Sequence, residues 1–278
     1  MMLKNFGQME QFVREQSGKK RVALAAAHDA DALGSLMMAV DRGIAEAILI
    51  GRRKEIVRVL DEMGKDAGDF RIIEEEDDRA AADKAVELVH RGEADMPMKG
   101  LMHTSTFMKA ILDKEKGLKE DGNLLSQASV FEIPEKDRFL IISDCAVNID
   151  PDLETKIKIT ENAAALAHTL GIEQPKIAVL SAVEVVNPKI RSTVDAAAMR
   201  ERLSDRYLID GPLALDNAID EAAAHHKGIE SPVAGNADIL IVPDLWSGNI
   251  FSKGLVFFAH LRSAGTLNGL KAPVVMSS

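Results

Sequence analysis

Short apolar runs alternate with amphipathic helical stretches along almost the whole sequence, and this alternation restricts the chain to a few architectures. Runs at residues 21–27, 45–50 and 70–74 are each followed by a helical pattern, at 30–42, 53–63 and 78–90. A weaker run at 94–98 leads into a helix over 106–115. Farther on, strands over 139–143, 176–182, 207–210, 238–242 and 273–277 alternate with helices over 151–170, 194–205, 213–226 and 248–263. Strands that are apolar on both faces need cover on both faces, and helical crossovers supply it. The pattern predicts an α/β protein of two α/β units with mainly parallel sheets. Residues 124–133 are extended, break the alternation and end at Pro134. That break places the crossover between a first domain, 1–133, and a second, 134–270.

A length of 278 residues suits two domains of ordinary size. No apolar run approaches the ~20 residues that span a bilayer. Residues 1–18 read as a polar amphipathic helix without the apolar centre of a signal peptide. The single cysteine, Cys145, excludes an internal disulfide and suits a reducing compartment. A cytoplasmic protein is expected. The net charge of −10 and an aromatic content of 4% argue against general nucleic-acid binding, which needs a basic face and stacking rings. An anionic ligand would have to be held by local donors, namely helix N-termini and a few lysines or arginines.

Several segments put usable chemistry at the carboxyl ends of strands, where open α/β sheets bind ligands. Ser143-Asp144-Cys145-Ala146-Val147-Asn148-Ile149-Asp150-Pro151-Asp152 joins one strand to a long helix. Asp150 is expected to cap that helix, with Pro151 at its first position. Asp144, Cys145 and Asn148 then stand on the rim, although an ordinary βα turn with a half-buried cysteine fits the same residues. In Lys99-Gly100-Leu101-Met102-His103-Thr104-Ser105-Thr106-Phe107-Met108-Lys109, hydroxyls open a helix that has Lys109 one turn inside. This is an anion site or plain N-capping. Pro212 is expected at the first position of the helix that follows the 207–210 strand. Asn249 and Lys253 are four apart and share a face near a helix start. Cys145 has no evident histidine partner and reads as a buried thiol beside a ligand. His28-Asp29-Ala30-Asp31 and Ala224-His225-His226 faintly resemble the metal motifs of the DHH phosphoesterases. Adjacent helical residues diverge by about 100°, and Ala224 stands where an acid is expected. Asp29 is therefore read as a helix cap, and no metal site is assigned.

Taken together, these strings resemble the phosphate acetyltransferase/phosphate butyryltransferase family, most closely its butyryltransferase branch. The resemblance runs from Arg21 to Ser278. It is carried by the 143–154 segment, Leu124-Leu125-Ser126, Asp210-Gly211-Pro212-Leu213-Ala214-Leu215-Asp216-Asn217-Ala218, Val233-Ala234-Gly235, Ala237-Asp238-Ile239-Leu240, Gly248-Asn249-Ile250 with Lys253, and Ala272-Pro273-Val274-Val275-Met276-Ser277-Ser278. It implies an isocitrate/isopropylmalate dehydrogenase-like fold whose two units flank a central cleft, with the strand at 271–278 returning to the first domain. The implied reaction converts a short-chain acyl-CoA, butyryl-CoA or similar, and phosphate into acyl phosphate and CoA. The implied catalytic residues are Ser278, stabilising the tetrahedral intermediate, and Asp144. Thr104, Ser105, Lys109, Ser126, Asn249 and Lys253 would position phosphate or substrate, and Cys145 would line the cleft. Coenzyme A enters as substrate and product, with no tightly bound cofactor or metal. The expected partners are acyl-CoA and inorganic phosphate, with no nucleic acid or membrane, in a homodimer or higher homo-oligomer. Family members continue past the last serine with an arginine, an aspartate base and a final helix. The sequence here stops at Ser278, so a chain that folds but turns over poorly is expected, and a non-catalytic CoA- or acyl-phosphate-binding module stays open as an alternative, with a metal-dependent phosphoesterase a distant second.

Overall fold

Ala23, Leu24 and Ala25 of strand β1 (Lys20–Ala25) are fully buried, as a strand covered on both faces must be. The computed structural model describes residues 2–16, 18–120 and 122–276. Two units emerge from the contacts within it: Glu10–Gly122 with Leu270–Ser278, and Met1–Met9 with Asn123–Gly269. Helix α1 (Phe6–Glu15) precedes β1.

The first unit continues through α2 (Ala30–Asp41), β2 (Ala45–Gly51), α3 (Arg53–Glu62), β3 (Arg71–Glu74), α4 (Asp78–His90), β4 (Met96–Lys99) and α5 (Thr104–Ile111). Residues Val275 and Met276 pair with β4 as a last short strand, so the sheet order runs from that strand through β4, β1 and β2 to β3, with every pairing parallel. Leu33, Leu36, Ile56 and Leu60 from α2 and α3 pack with Leu24 and Leu49. The chain moves from β1 outward to β3, then crosses back to β4 on the other side of β1. That reversal puts a topological switch point at the carboxyl ends of β1 and β4, where open α/β sheets bind ligands.

The second unit holds β5 (Ser126–Ile133), β6 (Arg138–Ser143), α6 (Leu153–Thr169), β7 (Lys176–Leu180), α7 (Arg191–Leu203), β8 (Leu208–Leu213), α8 (Leu215–Ile219), α9 (Glu221–His226), β9 (Ile239–Ile241), α10 (Leu245–Phe257) and β10 (Ser263–Asn268); the last strand of the first unit is then β11 (Val275–Met276). The sheet order is β10-β5-β6-β9-β7-β8. Strands β6, β9, β7 and β8 are parallel, and β5 and β10 are antiparallel additions at one side. One face packs α6 and α7 through Ile159, Ala163, Ala167, Ala196 and Met199 against Val130, Ile141 and Ile177. The other packs Ala218, Ala224, Phe251 and Leu255 against Phe131, Ile142 and Leu240. Leu3 and Phe6 join the first of these faces, Phe6 lying tilted on Phe139 with ring centroids 5.1 Å apart.

Four details differ from the sequence reading. Residues 123–133 group with the second unit, because β5 is registered along β6 from Ala128↔Ser143 to Ile133↔Arg138. The helix expected over 248–263 ends at Phe257, and His260 turns the chain at φ 52 into β10, a strand of small residues with little hydrophobic signal. Asp152, not Asp150, caps α6, accepting the Thr155 amide at 2.8 Å. Pro212 lies inside β8 rather than at a helix start, and α8 begins at Leu215. Among the described residues no helix is long and apolar enough to cross a membrane.

Candidate active site

In the first unit, the loop after β1 and the loop after β4 meet at the carboxyl ends of those strands. The Gly100 amide bonds the Ala25 carbonyl at 2.8 Å and the Leu101 amide bonds that of Ala26 at 3.0 Å. A Cβ at position 100 would collide with both carbonyl oxygens, so the loops can lie together only with glycine there. Lys99 Nζ clamps the same loop through the carbonyls of Gly100, at 3.2 Å, and Met102, at 3.3 Å. Helix α5 then starts after His103, whose side chain makes no capping bond. Thr104 and Ser105 are therefore exposed hydroxyls at an open, electropositive helix end. Lys109 is exposed one turn on and has no hydrogen bond or ion pair among the described residues. Asp29 caps α2 through the amides of Asp31 and Ala32, and no group of three or more His, Cys, Asp or Glu among the described residues is placed to hold a metal.

In the second unit, the turn after β6 is organised around Asp144, which is buried. Its Oδ1 accepts the amides of Ala146 at 2.9 Å and Val147 at 3.0 Å. Its Oδ2 accepts Asn148 Nδ2 at 2.6 Å and the Asn148 amide at 3.3 Å. Asn148 Nδ2 also reaches the Leu125 carbonyl at 3.0 Å. With four donors on it, the carboxylate is the anchor of the turn.

Cys145 follows, also buried. Ser252 Oγ donates to its Sγ at 3.1 Å, and the thiol is also hydrogen-bonded to Ser129. Burial pushes the thiol up to about 11, more than the two serine contacts lower it, and the neighbouring Asp144 charge adds to the rise. Such a thiol stays protonated at neutral pH and fills space rather than attacking a carbonyl.

Helix α10 lies against this turn. Gly248 makes that possible, since a Cβ there would sit 2.6 Å from the Asp144 carbonyl oxygen. Asp244 caps the helix through the Ser247 amide at 2.8 Å. Asn249 Nδ2 donates to the Cys145 carbonyl at 3.2 Å. Lys253, one turn farther, is exposed and has no hydrogen bond or ion pair among the described residues. The structure thus brings Asp144, Cys145 and Asn249 into one bonded group with Lys253 beside it. In the other unit it gathers Thr104, Ser105 and Lys109 at one helix start.

One expected residue stands elsewhere. Ser126 is wholly buried on the α6 side of β5, where its Oγ accepts Asn162 Nδ2 at 2.8 Å. Three residues along a strand reverse the face, so the hydroxyl on the thiol side is Ser129, which the period-2 alternation of 126–131 could have revealed. Ser278 lies outside the described residues. Ser252 also went unread, although it is three residues after Asn249 on the same helix; the part played by Asn162 had no signal in sequence.

Comparison with known proteins bears on this arrangement. Residues 78–278 match the family described as Phosphate acetyl/butaryl transferase. The phosphate butyryltransferase of Clostridium acetobutylicum is 45% identical over the whole of this chain and 93% of its own length. The phosphate acetyltransferase of Thermotoga maritima is 42% identical over 97% of this chain and 93% of its own. Among solved structures, a branched-chain phosphotransacylase from Enterococcus faecalis V583 superposes with a TM-score of 0.82 at 34% identity, covering 93% of this chain and 92% of that one.

Proposed function

The chain belongs to the phosphate acetyl/butyryl transferase family, and on that premise we propose that it transfers a short acyl group from acyl-CoA to inorganic phosphate. An oxygen of hydrogen phosphate attacks the thioester carbonyl carbon, the tetrahedral intermediate collapses, the C–S bond breaks, and the proton given up by the hydrogen phosphate ends on the sulfur of the departing CoA. Most of the work is proximity and charge neutralisation, because two anionic reactants must be held together by a chain of net charge −10. Coenzyme A is an exchanging substrate in this reading, the architecture is isocitrate/isopropylmalate dehydrogenase-like, and the compartment is the cytoplasm.

The observation that carries the proposal is the start of α10. Asn249 is fixed on the Cys145 carbonyl, and Lys253 stands exposed one turn away with no partner among the described residues. Lys109 is likewise exposed one turn inside α5, beside the exposed hydroxyls of Thr104 and Ser105. Within the second unit we assign phosphate contact to Lys253, and within the first we assign contact with an anionic group of the substrates to Thr104, Ser105 and Lys109. Asn249 fixes the turn, and Asp144 shapes it. Ser278 keeps the role the family resemblance gives it, stabilising the tetrahedral oxyanion.

The test is thiol release from butyryl-CoA with and without phosphate, read with an aromatic disulfide reagent. Release should require phosphate, and release at the same rate without it would make the protein a thioesterase and overturn the proposal. Lys253→Ala should raise the KM for phosphate by about tenfold or more, the size of a lost charged contact. Its thermal midpoint should scarcely move, since an exposed truncation costs about 0.5 kcal/mol. An unchanged KM would remove Lys253 from the site.

A further inference from the structure

Three exposed apolar side chains stand on loops that leave one end of the second sheet. Ile149 is 60% exposed, Val183 37% and Val185 69%. Single apolar residues at a surface need no explanation. These three differ because their loops are braced and emerge close together. The pairing register puts Ser143 of β6 and Val179 of β7 level with the same residue of β9, Ile241. At ~4.8 Å between neighbouring strands, the loops after β6 and β7 start at one height, roughly 10 Å apart.

Both loops are held in shape. The Ile149 carbonyl accepts the Leu245 amide at 3.0 Å, which ties it to the start of α10. Asn148, just before it, is bound to Asp144 through its amide and its side chain. Beyond β7, the Ser181 hydroxyl lies 2.7 Å from that of Ser192. Glu184 Oε2 accepts Asn217 Nδ2 and Lys227 Nζ, each at 3.4 Å, and the buried Thr193 accepts the Asn187 amide at 2.9 Å. Glu184 is thus drawn toward α8 and the end of α9, while Val183 and Val185 on either side of it stay in water. Val186 belongs to a separate groove, with Val194 and Ile209. Arg191 joins the two loops: its guanidinium donates to Asp150 Oδ1 at 3.3 Å and to the Pro151 carbonyl at 3.4 Å.

We propose that Ile149, Val183 and Val185 contact the acyl chain of the thioester and set its preferred length. This rests on the acyltransfer reading, which puts the thioester beside Lys253 and the Cys145 turn. Chemistry selects the occupant. The groups that turn and α10 offer are polar and suit phosphate and the carbonyl, whereas the acyl tail has no polar atom and needs apolar cover. The chain runs from Cys145 directly to Ile149, and Arg191 holds the valine loop to that same turn. Burying one methylene is worth about fourfold in binding. Butyryl carries two more than acetyl, so a preformed apolar wall can separate the two by about 15-fold.

Phosphate-dependent thiol release from acetyl-CoA and butyryl-CoA, compared as kcat/KM, tests this. The wild type should favour butyryl-CoA by about tenfold or more. Val183→Thr and Val185→Thr keep the branched shape, and Ile149→Thr shortens it; each should cut the preference by about threefold or more and leave the acetyl-CoA value nearly unchanged. Val183→Phe should occupy the space, lowering butyryl-CoA use by about tenfold while acetyl-CoA is still accepted. Substitutions at such exposed positions should scarcely move the thermal midpoint. Calorimetric titration with the two thioesters in the absence of phosphate reads the same preference independently of turnover. A ratio that no variant moves in either measurement would overturn the proposal and leave the transferase reading intact. Equal losses with both thioesters would assign these loops to the CoA arm and overturn it as well. Binding that discriminates as expected, without phosphate-dependent release, would support the acyl contact and overturn the transferase reading instead.

Discussion

Cys145 shows how completely environment decides what a residue can do. The same side chain in water would be a usable nucleophile. Here burial raises the thiol from its ordinary 9.0 to about 11, and its two serine neighbours hold it in place. Because the folded value lies above the unfolded one, the neutral thiol costs nothing below about pH 9, and stability is lost as pH rises toward 11. The loss should reach about 2–3 kcal/mol. Urea unfolding of wild type and Cys145→Ala, compared at intervals across that window, isolates it: the wild type should lose that much relative to the variant. Parallel pH profiles would show that the thiol is not the buried group described. The folded protein should also react negligibly with thiol reagents at neutral pH, which keeps the background of the CoA assay low.

At the scale of elements, the two aspartates before α6 separate sequence expectation from structure. Asp152 accepts the Thr155 amide, whereas Asp150 pairs at the surface with Arg191 at 3.3 Å. Asp152→Ala should therefore cost about 1 kcal/mol, and Asp150→Ala only a few tenths, the worth of an exposed ion pair. Thermal or urea unfolding of the two variants decides it, and equal losses would mean that the cap is shared. The same contrast explains what was legible. Strands with continuous apolar runs, such as β1, β2, β6 and β7, are written in the sequence because both of their faces are buried. Strand β10 is not, since Ser263, Ala264 and Gly265 face water and carry no pattern. The turn at Cys145 was visible as chemistry, but Asp144 reads as a free acid until its four donors are seen. Ser126 and Ser129 are interchangeable by type and distinct only by the face of β5 they occupy. Asn162, whose amide claims Ser126, comes from a helix thirty-odd residues downstream, and no local rule links the two.

At the scale of the whole chain, the first unit is discontinuous. Its sheet is built from residues up to 99 and then from Val275 and Met276, which pair with Met98 and Lys99. Lys271 bonds the Leu118 carbonyl at 2.8 Å, and Leu270 bridges to Lys119. Removing residues 270–278 would strip Val274 and Val275 from the edge of β4, at about 2–4 kcal/mol of lost burial. The shortened chain should melt earlier and aggregate more, and an unchanged midpoint would mean that β11 contributes only pairing without stability. Order of synthesis gives the same feature another meaning. The edge of β4 is made about 175 residues before the strand that closes it, which at ribosomal speed is roughly 10–35 s. Throughout that interval a nascent chain shows an open, apolar parallel edge to its neighbours on the same message, so the yield of native protein depends on what shields that edge until β11 emerges.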